Sequence, residues 1–427
     1  MRVLIFEDDS FSNLYPLSLL RGVFDIKCGV FSLKEKIENA LKEKYKVLLH
    51  CRKQLRNYLA EVYTENKINQ LSEDDYLFLN GRIVFPEKTL KYFANKFPKD
   101  SLMLEKNLVI AAKISKEKIG SFKEKIEGAI NDSTFSEQDF QPLNLNVINH
   151  NSENKHPQND LRFYIIKYPW DTIRYLDDFL RDDLKYLLRK KKTRKKTYRA
   201  SKLINSKNVH IAKKVKVHPD VVLDAKDGGI FIDENAIIEP FSFIKGPVYI
   251  GKNCVIKSGT KMYGPCSIGK YSKVSGEITN SIFHSYVNKQ HDGFFGHSYV
   301  SEFVNIGADT VTSNLKNNYS KIKVFINSRI IDTGMQFLGS IVGDHSKFGI
   351  NTMINTGTIS GIFSNIAGGG FFHKEIKSFS WNILGRETTK YNIDLAIGTA
   401  KVVMQRRNLD LSEAFEKLIR NIYNKLD

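Results

Sequence analysis

The 427-residue sequence predicts an α/β domain followed by a left-handed parallel β-helix and a helical C-terminal segment. Three observations carry that fold class. Short apolar strands alternate with helix-period segments in the N-terminal part. From Ile232 an apolar residue returns at every sixth position. Residues 396–427 then revert to helical spacing.

In the first part, MRVLIF reads as a buried strand and SLKEKIENALKEK as an amphipathic helix, and YKVLLHC and YLFLNGRIVF as further strands. Residues 146–160 are polar and turn-rich, so the domain is expected to end near Tyr168. The helical pattern DTIRYLDDFLRDDLKYLL follows as a bridge, with Trp170 in the core and Asp171 capping the helix. The bridge runs into the basic cluster Arg189 to Lys196, which has no interleaved aromatics and reads as a solvated linker.

Ile232, Ile238, Ile244, Ile250, Ile256, Met262, Ile268 and Val274 hold the six-residue step without a break. Neither a helix nor a flat strand has that period; a coil with three short faces does, because every sixth side chain then enters a common interior. A second run, Val324, Ile330, Gln336, Val342, Phe348 and Ile354, keeps the same step with one polar member. Between the runs, residues 281–320, where polar groups and three histidines break the period, read as a functional insertion or loop. Ala400, Val403, Met404, Leu411, Phe415, Leu418 and Ile422 then define a helical cap.

A composition of 41% hydrophobic and 26% charged residues excludes collagenous and disordered classes. Acidic residues arrive early in MRVLIFEDDS and no apolar run reaches the length of a membrane span, so a cytoplasmic location is expected. Cys28, Cys51, Cys254 and Cys266 are too scattered for a disulfide framework or a zinc site and are expected as small buried hydrophobes. The net charge of +18 suits anionic small substrates, and no nucleic-acid motif accompanies it.

LYPLSLLRGVFDIKCG, FLNGRIVFP, YPWD, NKQHDGFFGHSYV, VNIGADTVTSNLKNNYS, GDHSKFGINTMINTGT and VVMQRRN together carry a family likeness. Through them the chain resembles the bacterial sugar nucleotidyltransferases that fuse a short nucleotidyltransferase-like domain to a hexapeptide β-helix. These are related to the bifunctional enzymes that make UDP-N-acetylglucosamine. The resemblance implies an α/β nucleotidyltransferase-like N-terminal domain (1–167), a helical basic linker (168–203), a left-handed parallel β-helix of hexapeptide repeats with an acyltransferase-like site (204–384) and a C-terminal helical cap (385–427). It also implies a homotrimer with acyl sites between neighbouring β-helices, and synthesis of activated sugars for the cell envelope.

The implied acyl transfer needs a base for the amine that attacks a thioester. By the resemblance His291 is that base, Asn314 binds substrate, and Ala308 lies where acetyl-CoA is held by backbone contacts. Phe294, Leu315 and Ser320 depart from two tyrosines and a phosphate-binding lysine, with Lys316, Lys321 or Lys323 as replacements. The plain alternative for His291 and His297 is that both satisfy backbone groups in a polar loop.

The implied nucleotidyl transfer joins a sugar phosphate to UTP or another nucleoside triphosphate with Mg²⁺. Here FEDDSFSNLYP has no glycine-rich loop, Arg82 and Ile165 stand where metal carboxylates are usual, and Gly22 replaces a proline. Asp8 and Asp9 are either metal ligands or turn formers. Arg21, in the family's PLxxxR motif, is either a phosphate ligand or the partner of Asp25.

Overall fold

The structure, a computed structural model, describes residues 1–41, 44–66, 68–127, 134–150, 161–190 and 200–426. The basic cluster from Lys191 to Lys196 lies outside the described residues.

In the N-terminal domain, β1 (Arg2–Phe6), β2 (Val47–His50), β3 (Tyr76–Asn80), β4 (Ser101–Glu105), β5 (Leu108–Ile114) and β6 (Asn146–Asn149) form one sheet in the order β2-β1-β3-β5-β4-β6. β1 lies parallel to β2 and β3, which makes it central. Val3, Leu4, Ile5 and Phe6 are all fully buried, as expected for a strand covered on both faces. β5 runs antiparallel to β3 and β4, and β6 runs parallel to β4. The segment expected to be turn-rich thus begins with an edge strand; its remainder, 151–160, lies outside the described residues. Edge strands tolerate polar residues because one side of the ladder faces solvent.

Helix α1 (Leu33–Leu41) buries Leu33, Ile37 and Leu41 along one stripe, and α2 (Arg56–Val62) follows β2. Trp170 is buried, as read from the sequence. Asp171 does not cap the helix that follows. Its carboxylate accepts from the backbone N–H groups of Lys167 and Tyr168, each at 2.9 Å, and ties down the preceding turn instead. The bridging helix α3 (Leu176–Lys190) packs Leu180 and Leu184 into a core shared with Phe231, Ile282 and Tyr299 of the second part. Asp183 of α3 accepts from the N–H of Val30 at 2.8 Å, and Gly29 (φ +88°) lets the chain pass, since a Cβ there would lie 2.5 Å from that carboxylate.

From residue 202 the chain winds into a parallel β-solenoid with in-register rungs, such as Ile230, Val248 and Cys266. All eight residues of the first six-step run are completely buried in a single core. Each such burial is worth about 2 kcal/mol. Cys254 and Cys266 are buried there, while Cys28 and Cys51 are buried in the N-terminal domain; all four are free thiols.

The expected insertion at 281–320 is corrected. Ser281 to Phe283 pair with Cys266 to Ile268, and Tyr299 and Val300 continue the stack, so this stretch forms ordinary coils until Thr312. The period is lost because the register shifts between Tyr263 and Cys266, which changes the coil length. The excursion comes later. Tyr299 pairs directly with Ile341, and the intervening chain projects an antiparallel hairpin, Lys323–Ile326 with Arg329–Asp332. Of the second six-step run, Val342, Phe348 and Ile354 enter the solenoid core. Val324 and Ile330 belong to the hairpin, where Ile330 is 61% exposed. This hairpin packs Val324 and Ile326 with Leu14 and Leu17 of the N-terminal domain, and the Asn327 amide donates to the Ser12 carbonyl at 2.9 Å.

One corner of the solenoid carries Tyr271, Tyr286, Phe303, His345, Phe363 and Phe379, all at positive φ. Their rings stack coil upon coil, with Tyr286 on Phe303 at 4.8 Å and His345 on Phe363 at 4.6 Å between centroids. Helices α4 (Ile393–Gln405) and α5 (Glu413–Lys425) fold back along this ladder. Phe415 stacks on Tyr58 of α2 at 4.5 Å, and a single core joins Leu418 and Ile422 to Phe363, Phe379 and Leu59. The C-terminal helices therefore brace the solenoid against the N-terminal domain as well as covering it.

Candidate functional site

At the ends of β1 and β3, where an α/β sheet of this kind presents ligands, the charged groups are paired with one another. Asp8 accepts from Arg82 Nε at 2.6 Å and Asn80 Nδ2 at 2.8 Å through one oxygen, and from the Ser10 N–H at 3.0 Å through the other. Glu7, fully buried, accepts from Arg52 Nη1 at 2.7 Å and from the backbone N–H groups of Val23 and Arg52, each at 2.9 Å. Asp9 is exposed, and Ile165 pairs with Ile83 in a two-stranded ribbon. Among the described residues no group of three or more His, Cys, Asp or Glu side chains could hold a metal. The Arg82 guanidinium already neutralises the carboxylate best placed to bind Mg²⁺, so the residues present do not fit that ion.

Arg21 is buried and donates to the Leu17 carbonyl at 3.1 Å, to Asp344 through a short bond, and faces Glu302 at 3.5 Å. Burial works against its charge, but Asp344 and Glu302 outweigh that and hold it protonated. The pair with Asp25 does not form; Asp25 accepts from the Tyr63 hydroxyl instead. Burial opposes ionisation of Glu302 too, yet His284 at 3.1 Å and Arg21 pull its carboxyl down to about 2.

These groups line a cavity of about 520 Å³ walled by residues 20–35 and α2 on one side, the solenoid corner on the other, and Met404 and Phe415 at one end. Lys27, His284, Glu302, Asp344 and His345 on its wall were not singled out by sequence reasoning. The usable signal was a polar residue directly before five of the six ladder rings, charged in Lys270-Tyr271, Glu302-Phe303 and Asp344-His345. Asp344 Oδ2 and His345 Nδ1 are buried without a hydrogen-bond partner.

Asp25 on this wall is pushed up to about 7 by burial, against the Tyr63 hydrogen bond and the Lys34 charge. An unfolded aspartate ionises near about 3.9, so between these values the native state holds a proton that the unfolded state releases. Stability is therefore expected to fall as pH rises from about 4 to 7, and Asp25→Asn should remove that slope. Urea midpoints at pH 5 and pH 7 for both proteins check this; parallel declines would exclude Asp25 as the group responsible.

On the solenoid, His291 is exposed on a turn after the rung Asn288–Lys289. Lys289 is fully buried and donates to the carbonyls of His291 at 2.8 Å and Asp292 at 3.2 Å, and burial lowers it to about 8. Asn314 Nδ2 lies 2.8 Å from His297 Nδ1, and the His297 ring stacks on Phe337 at 5.2 Å. Burial lowers His297 to about 4, which leaves a neutral imidazole. The Ala308 carbonyl accepts from Asn351 of the next coil at 2.8 Å. Lys316 folds back on the Lys321 carbonyl at 2.9 Å, and exposed Lys323 opens the hairpin opposite Asp332. The fold thus joins Asn314 to His297, leaves the His291 ring facing solvent, and puts Arg21 in a different place, on the interdomain wall.

Residues 3–192 match the family described as sugar nucleotidyl transferase, and residues 229–264 match six repeats of the bacterial transferase hexapeptide. A bifunctional sugar-1-phosphate nucleotidylyltransferase/acetyltransferase of Sulfurisphaera tokodaii is 30% identical over 102 residues, which span 24% of this chain and 25% of that protein. Among solved structures, UDP-N-acetylglucosamine acyltransferase from Campylobacter jejuni aligns at 15% identity with a TM-score of 0.22, over 48% of this chain and 96% of that one. The Arabidopsis UDP-N-acetylglucosamine acyltransferase aligns at 12% identity with a TM-score of 0.23, over 49% of this chain and 77% of that one. No helix among the described residues is long and apolar enough to cross a membrane. The chain joins a domain that matches the sugar nucleotidyl transferase family to a hexapeptide-repeat β-solenoid braced by C-terminal helices.

Proposed function

We propose that this chain is a bifunctional transferase, uniting a sugar phosphate with UTP or another nucleoside triphosphate and acetylating an amino-sugar phosphate. It acts as a cytoplasmic homotrimer that supplies activated sugars for the cell envelope. The observation that carries the reading is the coexistence, in one chain, of the sugar nucleotidyl transferase match over 3–192 and a hexapeptide solenoid. On that solenoid buried Lys289 holds the backbone of the turn that presents His291. Exposed Phe241, Ile350 and Phe371 on the solenoid, 69%, 68% and 61% accessible, support packing against neighbouring copies.

In the acyl half, the sugar amine attacks the thioester carbonyl of acetyl-CoA while His291 takes its proton; the C–S bond then breaks, and the departing thiolate receives that proton and leaves as the thiol. Asn314, Lys316 and Lys323 hold the sugar phosphate, and the backbone around Ala308 holds acetyl-CoA. In the nucleotidyl half, Arg21 meets a phosphate by exchanging part of its pairing with Glu302. Nucleotidyl transfer in this family uses Mg²⁺; no step through it is assigned to Asp8, which Arg82 already neutralises.

That same pair favours a second reading, an acyltransferase whose N-terminal domain binds without transferring. Purified protein given glucosamine-1-phosphate, UTP, Mg²⁺ and acetyl-CoA separates the two when pyrophosphate and free thiol are read independently. Both signals are expected for the bifunctional enzyme. Thiol alone establishes the second reading, and neither signal rejects both.

A further inference from the structure

We propose that the cavity between the N-terminal domain and the solenoid corner is a binding site for a phosphate ester of a sugar or nucleoside, anchored by Lys27. None of the paired strand-end residues Glu7, Asp8, Asn80 and Arg82 lines it, nor do His291, His297 or Asn314, so it is separate from the acyl site; Arg21, assigned above to the nucleotidyl half, does line it, and to that extent the inference rests on that reading.

The charge pattern identifies the ligand. Most carboxylates on the wall are already engaged: Glu302 faces Arg21 and His284, Asp344 accepts from Arg21 and the Glu302 N–H, Asp25 accepts from Tyr63, and Glu35 accepts from the Ser32 N–H. Of the four lysines on the wall, two are matched and two are not. Lys34 pairs with Glu38 at 2.8 Å and Lys252 with Glu234 at 3.3 Å. Lys27 is only 8% exposed, and its ammonium has a 3.5 Å contact to the His284 carbonyl and the face of Tyr249 at 5.5 Å. Lys270, at the rim, lies 5.5 Å from the Tyr286 ring centroid. A buried ammonium without an ionic partner is costly, and an anion entering the cavity would remove that cost.

A volume of about 520 Å³ far exceeds the share of one water, about 30 Å³, and falls in the range of small-molecule sites. An inorganic anion would leave most of it unfilled. Tyr58, one face of which stacks on Phe415, and Tyr249, whose hydroxyl donates to Asp233 at 3.2 Å, put aromatic surface on the wall, which suits a ring attached to the phosphate. Both domains contribute walls, so the ligand would also fasten them together.

The test is titration calorimetry of the full chain with glucosamine-1-phosphate, UMP and inorganic phosphate separately, without acetyl-CoA or UTP. Saturable binding of at least one ester is expected, at least tenfold tighter than inorganic phosphate. Lys27→Met should weaken it at least tenfold, and Lys270→Met, an exposed change that leaves the fold intact, at least threefold. The ester that binds identifies the sugar or the nucleoside as the attached ring. Equal binding by the wild type and both lysine variants, equal affinity for inorganic phosphate, or no saturable heat from either ester would overturn the proposal. The inference and the proposed function fail separately: Lys27-dependent binding in a protein that releases neither thiol nor pyrophosphate would uphold the inference while rejecting the proposed function.

Discussion

His291→Gln is expected to slow thiol release from acetyl-CoA about 100-fold or more, the contribution of a positioned general base. Glutamine keeps the size and hydrogen-bonding capacity of the side chain but cannot accept the proton that the amine loses. The turn should survive, because Lys289 holds it through the carbonyls of His291 and Asp292 and makes no hydrogen bond to the imidazole. A change within about 0.5 kcal/mol is expected in stability, as for exposed positions generally. His297→Gln is the informative comparison. That ring is neutral, adjoins Asn314 and stacks on Phe337, so its loss should lower stability as well as rate. An unaltered rate in His291→Gln with a collapsed rate in His297→Gln would transfer the role of base to His297.

Gly269→Ala is expected to be the most destabilising single-methyl change in the solenoid. The added Cβ would sit 1.4 Å from the carbonyl oxygen of His284 and 2.5 Å from its carbonyl carbon, on the next coil. Both are backbone atoms, and Gly269 N–H itself donates to the Phe283 carbonyl at 2.8 Å, so the coils cannot separate without losing ladder bonds. A loss of about 4 kcal/mol or more, or failure to fold, follows from an overlap that no rotamer relieves. Gly398→Ala, in the middle of α4 with nothing within 4 Å of its Cβ, should instead stabilise by about 1 kcal/mol. Circular dichroism melts of the two variants test the contrast, and equal stabilities would refute the close coil stacking at Gly269.

Much of the fold was legible because it is repetitive or locally encoded. The step from Ile232 to Val274 could be counted, and every member is buried. The strand MRVLIF and the helix after Ser32 announced themselves by apolar pattern. Reading failed where the coil length changed. After the register shift near Tyr263 a fixed count of six no longer tracks the interior, so coils around Ile282 and Tyr299 resembled an insertion, while Val324 and Ile330 of a hairpin resembled coils.

The candidate sites divide in the same way. The HDGFFGH and SNLKNNY strings pointed to His291, His297 and Asn314, and the fold places the last two within hydrogen-bonding distance. Arg21 was visible as a motif residue, but its partners Asp344 and Glu302 lie in the other half of the chain, whereas sequence proximity had suggested Asp25. Arg82 was noticed as a departure, and only the packing of β3 against β1 revealed that it pairs with Asp8.

By itself, then, the sequence determined the two-part architecture, the solenoid core and the family likeness, because periodicity and motif spacing are properties of consecutive residues. Only the tertiary structure decided which charges neutralise one another, that the C-terminal helices brace the two parts, and that Lys27 faces a cavity without an ionic partner. Ion pairing and cavity formation depend on distances between residues remote in the chain, and those distances exist only once the domains have docked.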